Sequence, residues 1–204
     1  MTLGSTEDTA TTTSGGPGTS GTTVGAEGPA SSTGDDTDSS GGSTSDGTTG
    51  DGLGMIEYCT IADLPIPDND GGGVSSDIGV DLAGGGIVQT VELVIVAAHS
   101  YVGDLRFDLR KGEMEIVVID HPGGGGCDGD DIDVQLHDAA SDAVGDACMP
   151  ASVPALSGEL RPQLPLNPVF FNQQMLGTWR LRATDDAGGD SGVLQQWCLR
   201  FTYR

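Results

Sequence analysis

The sequence predicts an all-β fold, an antiparallel β-sandwich of the jelly-roll type (galactose-binding-like), preceded by a disordered tail. Three observations support this prediction. Several short segments alternate apolar and polar residues with a period of two, and turns rich in glycine and aspartate separate them. No segment shows a sustained helical period with caps. Short, evenly spaced strands joined by such turns are typical of sandwiches and jelly rolls.

The chain divides by composition into a linker over residues 1–54 and a compact domain over residues 55–204. Residues 1–50 contain 35 Gly, Ser and Thr, no aromatic residue and no Lys or Arg. Such a segment cannot bury enough apolar surface to offset the entropy lost on ordering it. The remaining residues are enough for one domain with its own core.

The period-two segments fix the expected strands. In residues 178–184, Trp179, Leu181 and Ala183 share one face, and in residues 196–203 the two large aromatic residues Trp197 and Phe201 do the same. The stretch 67–73 is expected to be a turn, and the proline-rich stretch 149–176 is expected to run irregularly over the surface. The predicted strands are TVELVIVAAH (90–99), LRFDL (105–109), MEIVVI (114–119), IDVQL (132–136), TWRLRAT (178–184) and QWCLRFTY (196–203).

The charge excludes two classes of partner. The net charge of the chain is −23, and residues 51–204 contain 24 acids against eight bases, a net of −16. Such a domain repels phosphate backbones and anionic membrane surfaces. There is also no apolar run long enough to span a bilayer. Cations are the natural counter-species, although a plain solvated acidic surface accounts for the same composition.

Four cysteines lie in the compact domain, and none forms a C-x-x-C pair. Two disulfides in an oxidising compartment are therefore expected, rather than a zinc site. Three pairings are open, and four free thiols are the remaining alternative. We favour the nested pairing, because Cys127–Cys148 would close a Gly/Asp-rich excursion and Cys59–Cys198 would tie the first strand to the last.

The expected location is extracellular or at the cell surface, which requires export. The first ten residues, MTLGSTEDTA, have neither a basic n-region nor an apolar core. We therefore expect a signal or lipoprotein segment upstream of Met1. A Ser/Thr/Gly linker of this kind often tethers a domain to an anchor or to another domain.

Catalysis has little support in the sequence. A serine hydrolase needs Ser, His and an acid to converge, and no G-x-S-x-G elbow is present. Ser75 and Ser76 look like the start of a strand, and His99 ends an apolar strand. A glycosidase needs an aromatic-lined cleft, whereas the nine aromatic residues of the chain fall mostly on core faces.

Calcium is the expected cofactor. Ca²⁺ takes six to eight oxygen ligands from carboxylates and loop carbonyls. Asp104 lies at a tight turn, and Asp185 and Asp190 lie in the glycine-rich stretch DDAGGDSG. The alternative is that Asp and Gly act there only as turn formers.

Taken in order along the chain, several motifs resemble one family. They are IPD (66–68), VSSDIGV (74–80), HSYVGDLRFDL (99–109), LHDAA (136–140) and GTWRLRATDDAGGDSGVLQQWCLRF (177–201). Together they resemble the P domain, also called P/Homo B, of kexin- and furin-type proprotein convertases. The resemblance runs from about Ile66 to Phe201, and its strongest pieces are H-x-Y-x-G-D-L at residues 99–105 and GTW at residues 177–179.

The resemblance implies a jelly-roll sandwich that is not catalytic and that stabilises a subtilisin-like serine protease domain. It places Asp104 in the family's Gly-Asp-Leu turn and adds Asp138, at an acidic strand end, to the tentative calcium ligands. The expected partner is a subtilisin-like protease domain or another extracellular protein. The chain departs from the family in lacking the protease domain and in the GGGGCDGDD insertion. A surface module that binds a glycan or a protein unrelated to proteolysis is the alternative.

Overall fold

The computed structural model describes residues 46–48 and 52–204, all within the compact unit Ser39–Arg204. The predicted linker over residues 1–54 therefore lies almost wholly outside the described residues. The described part is an all-β sandwich of the predicted type, with a six-stranded and a four-stranded sheet. The strands are β1 (Asp46–Thr48), β2 (Gly54–Ile66), β3 (Asp70–Val80), β4 (Val88–His99), β5 (Leu105–Lys111), β6 (Met114–Asp120), β7 (Ile132–Leu136), β8 (Leu156–Leu160), β9 (Gly177–Asp185) and β10 (Gly192–Tyr203).

The two sheets follow the orders β1-β2-β10-β4-β7-β8 and β3-β9-β5-β6. All strand pairs are antiparallel except β7 and β8, which are parallel. Parallel neighbours need a long crossover, and here residues 137–155 provide it. One helical turn, α1 (Asn167–Phe170), follows β8. Within the described ranges, no helix has the length and apolar character needed to cross a membrane.

The core lies between the sheets and consists of the predicted alternating side chains. Trp179 and Trp197 are fully buried, and each indole nitrogen has a partner: Trp179 donates to the carbonyl of Met175, and Trp197 donates to the hydroxyl of Ser76, both at 2.9 Å. A buried aromatic side chain removes roughly 150–250 Å² from water, which stabilises the fold by about 4–6 kcal/mol. The two tryptophans therefore hold the sandwich together without leaving a polar atom unpaired.

Two expectations about irregular segments need correction. The turn expected over residues 67–73 is shorter: it lies at residues 68–69, and β3 begins at Asp70, which pairs with Asp185 of β9, while residues 71–73 form an irregularity before the pairing resumes at Val74. The stretch 149–176 is not confined to the surface. It supplies strand β8, and it contributes the fully buried Leu166, Phe170 and Met175 to the core.

Candidate functional site

The residues of the H-x-Y-x-G-D-L motif meet those of the closing strands at one end of the sandwich. His99 is the last residue of β4 and lies opposite Gly192, the first residue of β10. Leu105, the first residue of β5, lies opposite Asp185, the last residue of β9. A short 3₁₀ turn over residues 102–104 joins β4 to β5. Strand register thus brings together motifs that are about 90 residues apart in the sequence.

His99 and Asp185 form a completely buried pair at this end. The Nε2 atom of His99 lies 3.2 Å from Oδ2 of Asp185, and neither side chain is accessible to solvent. The other ring nitrogen, Nδ1, lies 2.9 Å from the carbonyl of Tyr101 and accepts from the Tyr101 amide at 3.1 Å. The second carboxylate oxygen of Asp185 accepts from the amide of Ala187 at 3.1 Å. Both groups are therefore fully occupied by structural contacts.

Close contacts at this end of the sandwich require two glycines of the motifs. A Cβ atom at Gly192 would lie 2.2 Å from Cδ2 of His99, so any other residue would displace the imidazole. A Cβ atom at Gly103 would lie 2.8 Å from the Tyr101 ring and 2.9 Å from the amide nitrogen of Cys127. Close approach of the chain, rather than a special backbone angle, requires glycine at both positions.

An open pocket of about 320 Å³ lies beside His99, and Asp130, Asp131, Ser100 and Ser191 line it. Asp131 accepts a hydrogen bond from the His99 amide at 3.0 Å and has a positive φ of 67°. The hydroxyl of Ser100 donates to Asp190 at 2.9 Å. The pocket thus carries two carboxylates, of which Asp131 already bonds to the backbone, and a serine hydroxyl that bonds to Asp190.

Three of the four predicted calcium ligands share this end of the molecule. Partial burial raises the pKa of Asp104 above its usual value, and the negative charges of Asp185 and Asp190 raise it further. These three carboxylates therefore repel one another, and a bound cation would relieve that repulsion. Since Asp185 is already bonded to His99 and Ala187, Asp104 and Asp190 are the better placed donors.

Asp138 lies elsewhere. It follows β7, whose last residue, Leu136, pairs with Leu93 in the middle of β4 rather than near His99. Its two carboxylate oxygens accept from the amides of Leu166 and Asn167, at 2.7 and 2.8 Å, at the start of α1. Both oxygens thus serve that helical turn.

No complete set of three metal-ligating side chains occurs at this end among the residues described. Over all the described residues, one group of three has its ligand atoms within 4.8 Å of one another, and it lies away from this end, in the middle of β2 and β10: Glu57, Cys59 and Cys198. Its two sulfur atoms are joined in a disulfide, so they are not available as ligands. Any calcium ion near Asp104 would therefore need backbone carbonyls and water as its other ligands.

The predicted disulfide pairing is confirmed. Cys127 bonds to Cys148, and Cys59 bonds to Cys198. Cys59 and Cys198 lie directly opposite each other on β2 and β10. The Cys127 loop packs on the motif turn, because the Gly103 amide donates to the Cys127 carbonyl at 2.9 Å. The inserted loop thus supports the same end of the sandwich that carries the motifs.

The serines and the other histidines do not form a hydrolytic centre with His99. The hydroxyl of Ser76 accepts from the buried Trp197, and Ser75 lies on the outer side of β3. His121 bridges Asp120 at 2.8 Å and Asp186 at 3.3 Å on the surface. His137 lies 3.6 Å from the exposed carboxylate of Glu159. Ser76, His121 and His137 therefore each have a structural partner, and Ser75 lies on the outer side of the sheet, away from His99 in the buried core.

Sequence reasoning missed a group of arginines on the outer side of the four-stranded sheet. Asp108 is buried there, with 2% of its side chain exposed, and it accepts from Arg106 and Arg182. The signal was present in the sequence, since Asp108 lies between Phe107 and Leu109 and between two arginines two residues away on either side. The alternation assigns Arg106 and Asp108, and likewise Arg180 and Arg182, to the polar faces of their strands, but it does not show that these two faces lie side by side.

Comparison with known proteins shows likeness in fold only. No protein-family model matches the chain, and no curated protein matches it. Two solved structures are similar: the serine protease of Aeromonas sobria, at 18% identity, and the complex of that species' serine protease with its chaperone, at 17% identity. Both have a TM-score of 0.50, and each match covers 74% of this chain. The chain spans only 27% of the length of the chains that it matches.

Proposed function

We propose that residues 55–204 form a P/Homo B-type domain that acts as a non-catalytic accessory module for a subtilisin-like serine protease, outside the cell or at its surface. The convergence of His99, Gly103, Asp104, Asp185 and Gly192 at one end of the sandwich carries this proposal. These are residues on which the resemblance depends: His99 bonds to Asp185 and lies against Gly192, Gly103 lies against the Cys127 loop, and Asp104 feels the negative charge of Asp185. The proteins with a similar fold are described as a serine protease and its complex with a chaperone.

The absence of a catalytic role is part of the proposal and is supported by positive contacts. A general base must reach the nucleophile through a free ring nitrogen. In His99 one nitrogen faces Asp185 and the other faces the backbone of Tyr101. The Ser76 hydroxyl is held by Trp197. The motif residues thus stabilise the end of the sandwich instead of reacting.

Two measurements test the proposed function. The full chain should not cleave a fluorogenic dibasic peptide. When added to a kexin-type catalytic domain prepared without its own P domain, it should lengthen the half-life of protease activity at raised temperature. The matched control is the Asp185→Ala chain, which loses the buried pair at the motif end. Peptide cleavage that disappears in Ser75→Ala or Ser76→Ala would refute the non-catalytic assignment. An unchanged protease half-life would refute the accessory role.

One observation favours the alternative, recognition of a glycan. A cavity of about 490 Å³, a size typical of ligand pockets, lies on the β7–β8 side of the molecule. Asp142, Asp146 and Arg161 are among its lining residues and could bond to sugar hydroxyl groups. A glycan array probed with the full chain decides between the two functions. Selective binding that Arg161→Ala abolishes would support the alternative.

A further inference from the structure

The outer side of the four-stranded sheet carries four of the eight basic residues of the chain. We call Arg106 and Arg110 of β5 with Arg180 and Arg182 of β9 the arginine face. The two strands are neighbours, and Arg110 lies directly opposite Arg180. Four carboxylates of the same side balance these charges: Asp77, Asp108, Glu115 and Asp120. The remainder of residues 51–204 has 20 acids against four bases, so the arginine face is a neutral area on an acidic domain.

Three of the four arginines already hold carboxylates in defined geometry. Arg180 makes two parallel bonds to Asp77, each of 2.7 Å. Arg106 and Arg182 both donate to the buried Asp108, at distances from 2.8 to 3.3 Å. Two-point bonding of this kind is the geometry in which a guanidinium group recognises a carboxylate.

Arg110 lacks such a partner. Its Nε atom donates to the carbonyl of Gly112 at 2.7 Å. No carboxylate lies within 4.0 Å of its guanidinium group among the residues that the structure describes. The side chain is exposed, and it lies between two shallow depressions of about 200 Å³ each. Arg180 borders both depressions, and Ser75 and Arg182 border one of them.

We propose that the arginine face binds an extended peptide segment whose carboxylates are spaced along the chain, with Arg110 as the anchor. The guanidinium group of Arg110 can bind a carboxylate in the same way as Arg180 binds Asp77 and Arg182 binds Asp108. A densely charged polyanion suits the face less well, because its phosphates or sulfates would meet Asp77 and Glu115, which lie opposite Arg180 and Arg110 on the neighbouring strands. A flat sheet surface accommodates an extended segment. This inference goes beyond the proposed function and holds whether or not the partner is a protease.

The test uses the full chain and a fluorescein-labelled peptide of alternating Glu and Ser. A Gln–Ser peptide of the same length is the neutral control. Fluorescence anisotropy at low ionic strength should show binding of the acidic peptide only, and added salt should weaken it. Arg110→Gln should weaken binding about tenfold or more, since it removes a charge-assisted pair. The matched control is Arg204→Gln, which removes the same charge at the end of the chain and should change the affinity by less than about twofold.

Several results would overturn the inference. One is the absence of any binding of the acidic peptide. Another is an equal loss of affinity in Arg110→Gln and Arg204→Gln, which would indicate an effect of net charge alone. Arg110-dependent binding of a heparin oligosaccharide without peptide binding would show that a polyanion is the occupant.

Discussion

Replacing Asp185 by alanine removes the partner of the His99 imidazole in the interior of the sandwich. The structure defines what is lost: the contact of 3.2 Å to Nε2 of His99 and the acceptor of the Ala187 amide at 3.1 Å. Both side chains are inaccessible to solvent, so water cannot take the place of the carboxylate without a rearrangement. His99 cannot turn away either, because Gly192 lies against its ring.

The magnitude follows from these contacts. Each buried polar group left without its partner costs about 1–3 kcal/mol, and groups that were bonded to a carboxylate lie towards the upper end of that range. Two groups lose a partner here, so we expect the free energy of unfolding to fall by about 3–5 kcal/mol. For a domain of this size each kcal/mol lowers Tm by about 2–4 °C. The expected decrease is therefore roughly 6–20 °C.

Urea unfolding followed by tryptophan fluorescence measures this loss, since Trp179 and Trp197 are both buried in the core. Asp190→Ala is the matched control. Its carboxylate accepts from the Ser100 hydroxyl near the surface, so its replacement should cost less than about 1 kcal/mol. An Asp185→Ala chain that unfolds within about 1 kcal/mol of the native chain would refute the view that this pair supports the motif end.

Three further predictions concern ions, pH and the inserted loop. Millimolar calcium should raise Tm relative to Tm in chelator, and Asp104→Asn should abolish this rise. The same variant should raise Tm in chelator, because the raised pKa of Asp104 means that its charge destabilises the fold at neutral pH. Equal Tm values with and without calcium would exclude the site. The Arg180 guanidinium holds the pKa of Asp77 below its usual range, so its contribution is present above about pH 4, the usual Asp value, and is lost as pH falls through the lower folded value. Since both side chains are more than 40% exposed, we expect less than about 1 kcal/mol, screened by salt and absent in Asp77→Asn; a large, salt-independent loss would contradict this. Replacing Cys127 and Cys148 together by serine should lower the free energy of unfolding by roughly 3 kcal/mol in thermal denaturation, and an unchanged Tm would show that the loop does not support the motif turn.

The strands that the sequence predicted well are those with strong alternation. The segments 105–109 and 132–136 correspond to β5 and β7 at the same first residue, and the apolar face of 178–184 is the buried face of β9. In each case bulky residues at every second position face the other sheet, so burial alone selects the face and the register. The disulfide pairing could also be predicted from the sequence, because Cys127 and Cys148 are separated by only 21 positions and enclose a Gly/Asp-rich loop.

Sequence reasoning missed strand segments that depend on their neighbours. A strand was expected to start near Ser75 and Ser76, but β3 begins at Asp70, which pairs with Asp185 of β9. The three glycines after Asp70 favour turns, and they form an irregular stretch before the regular pairing resumes at Val74. β8 has apolar residues only at its ends, Leu156 and Leu160, and it pairs in parallel with β7. Neither of these strand pairings can be recognised from the sequence of the strand itself. The grouping of charges on the outer face could not be predicted either, because Arg110 lies opposite Arg180 only through the register of β5 and β9.

The motif residues also show how a functional fingerprint and a packing requirement can coincide. The imidazole of His99 needs the carboxylate of Asp185, and its ring excludes a side chain at position 192. The turn before β5 needs glycine at position 103 against the Cys127 loop. A histidine and an aspartate in such a motif can therefore serve to close this end of the sandwich. Because both of these side chains are occupied by structural contacts, recognition of a partner is better sought where a charged group lacks a counter-charge. Arg110 meets that condition on the opposite surface of β5, where a partner can reach it without disturbing the core.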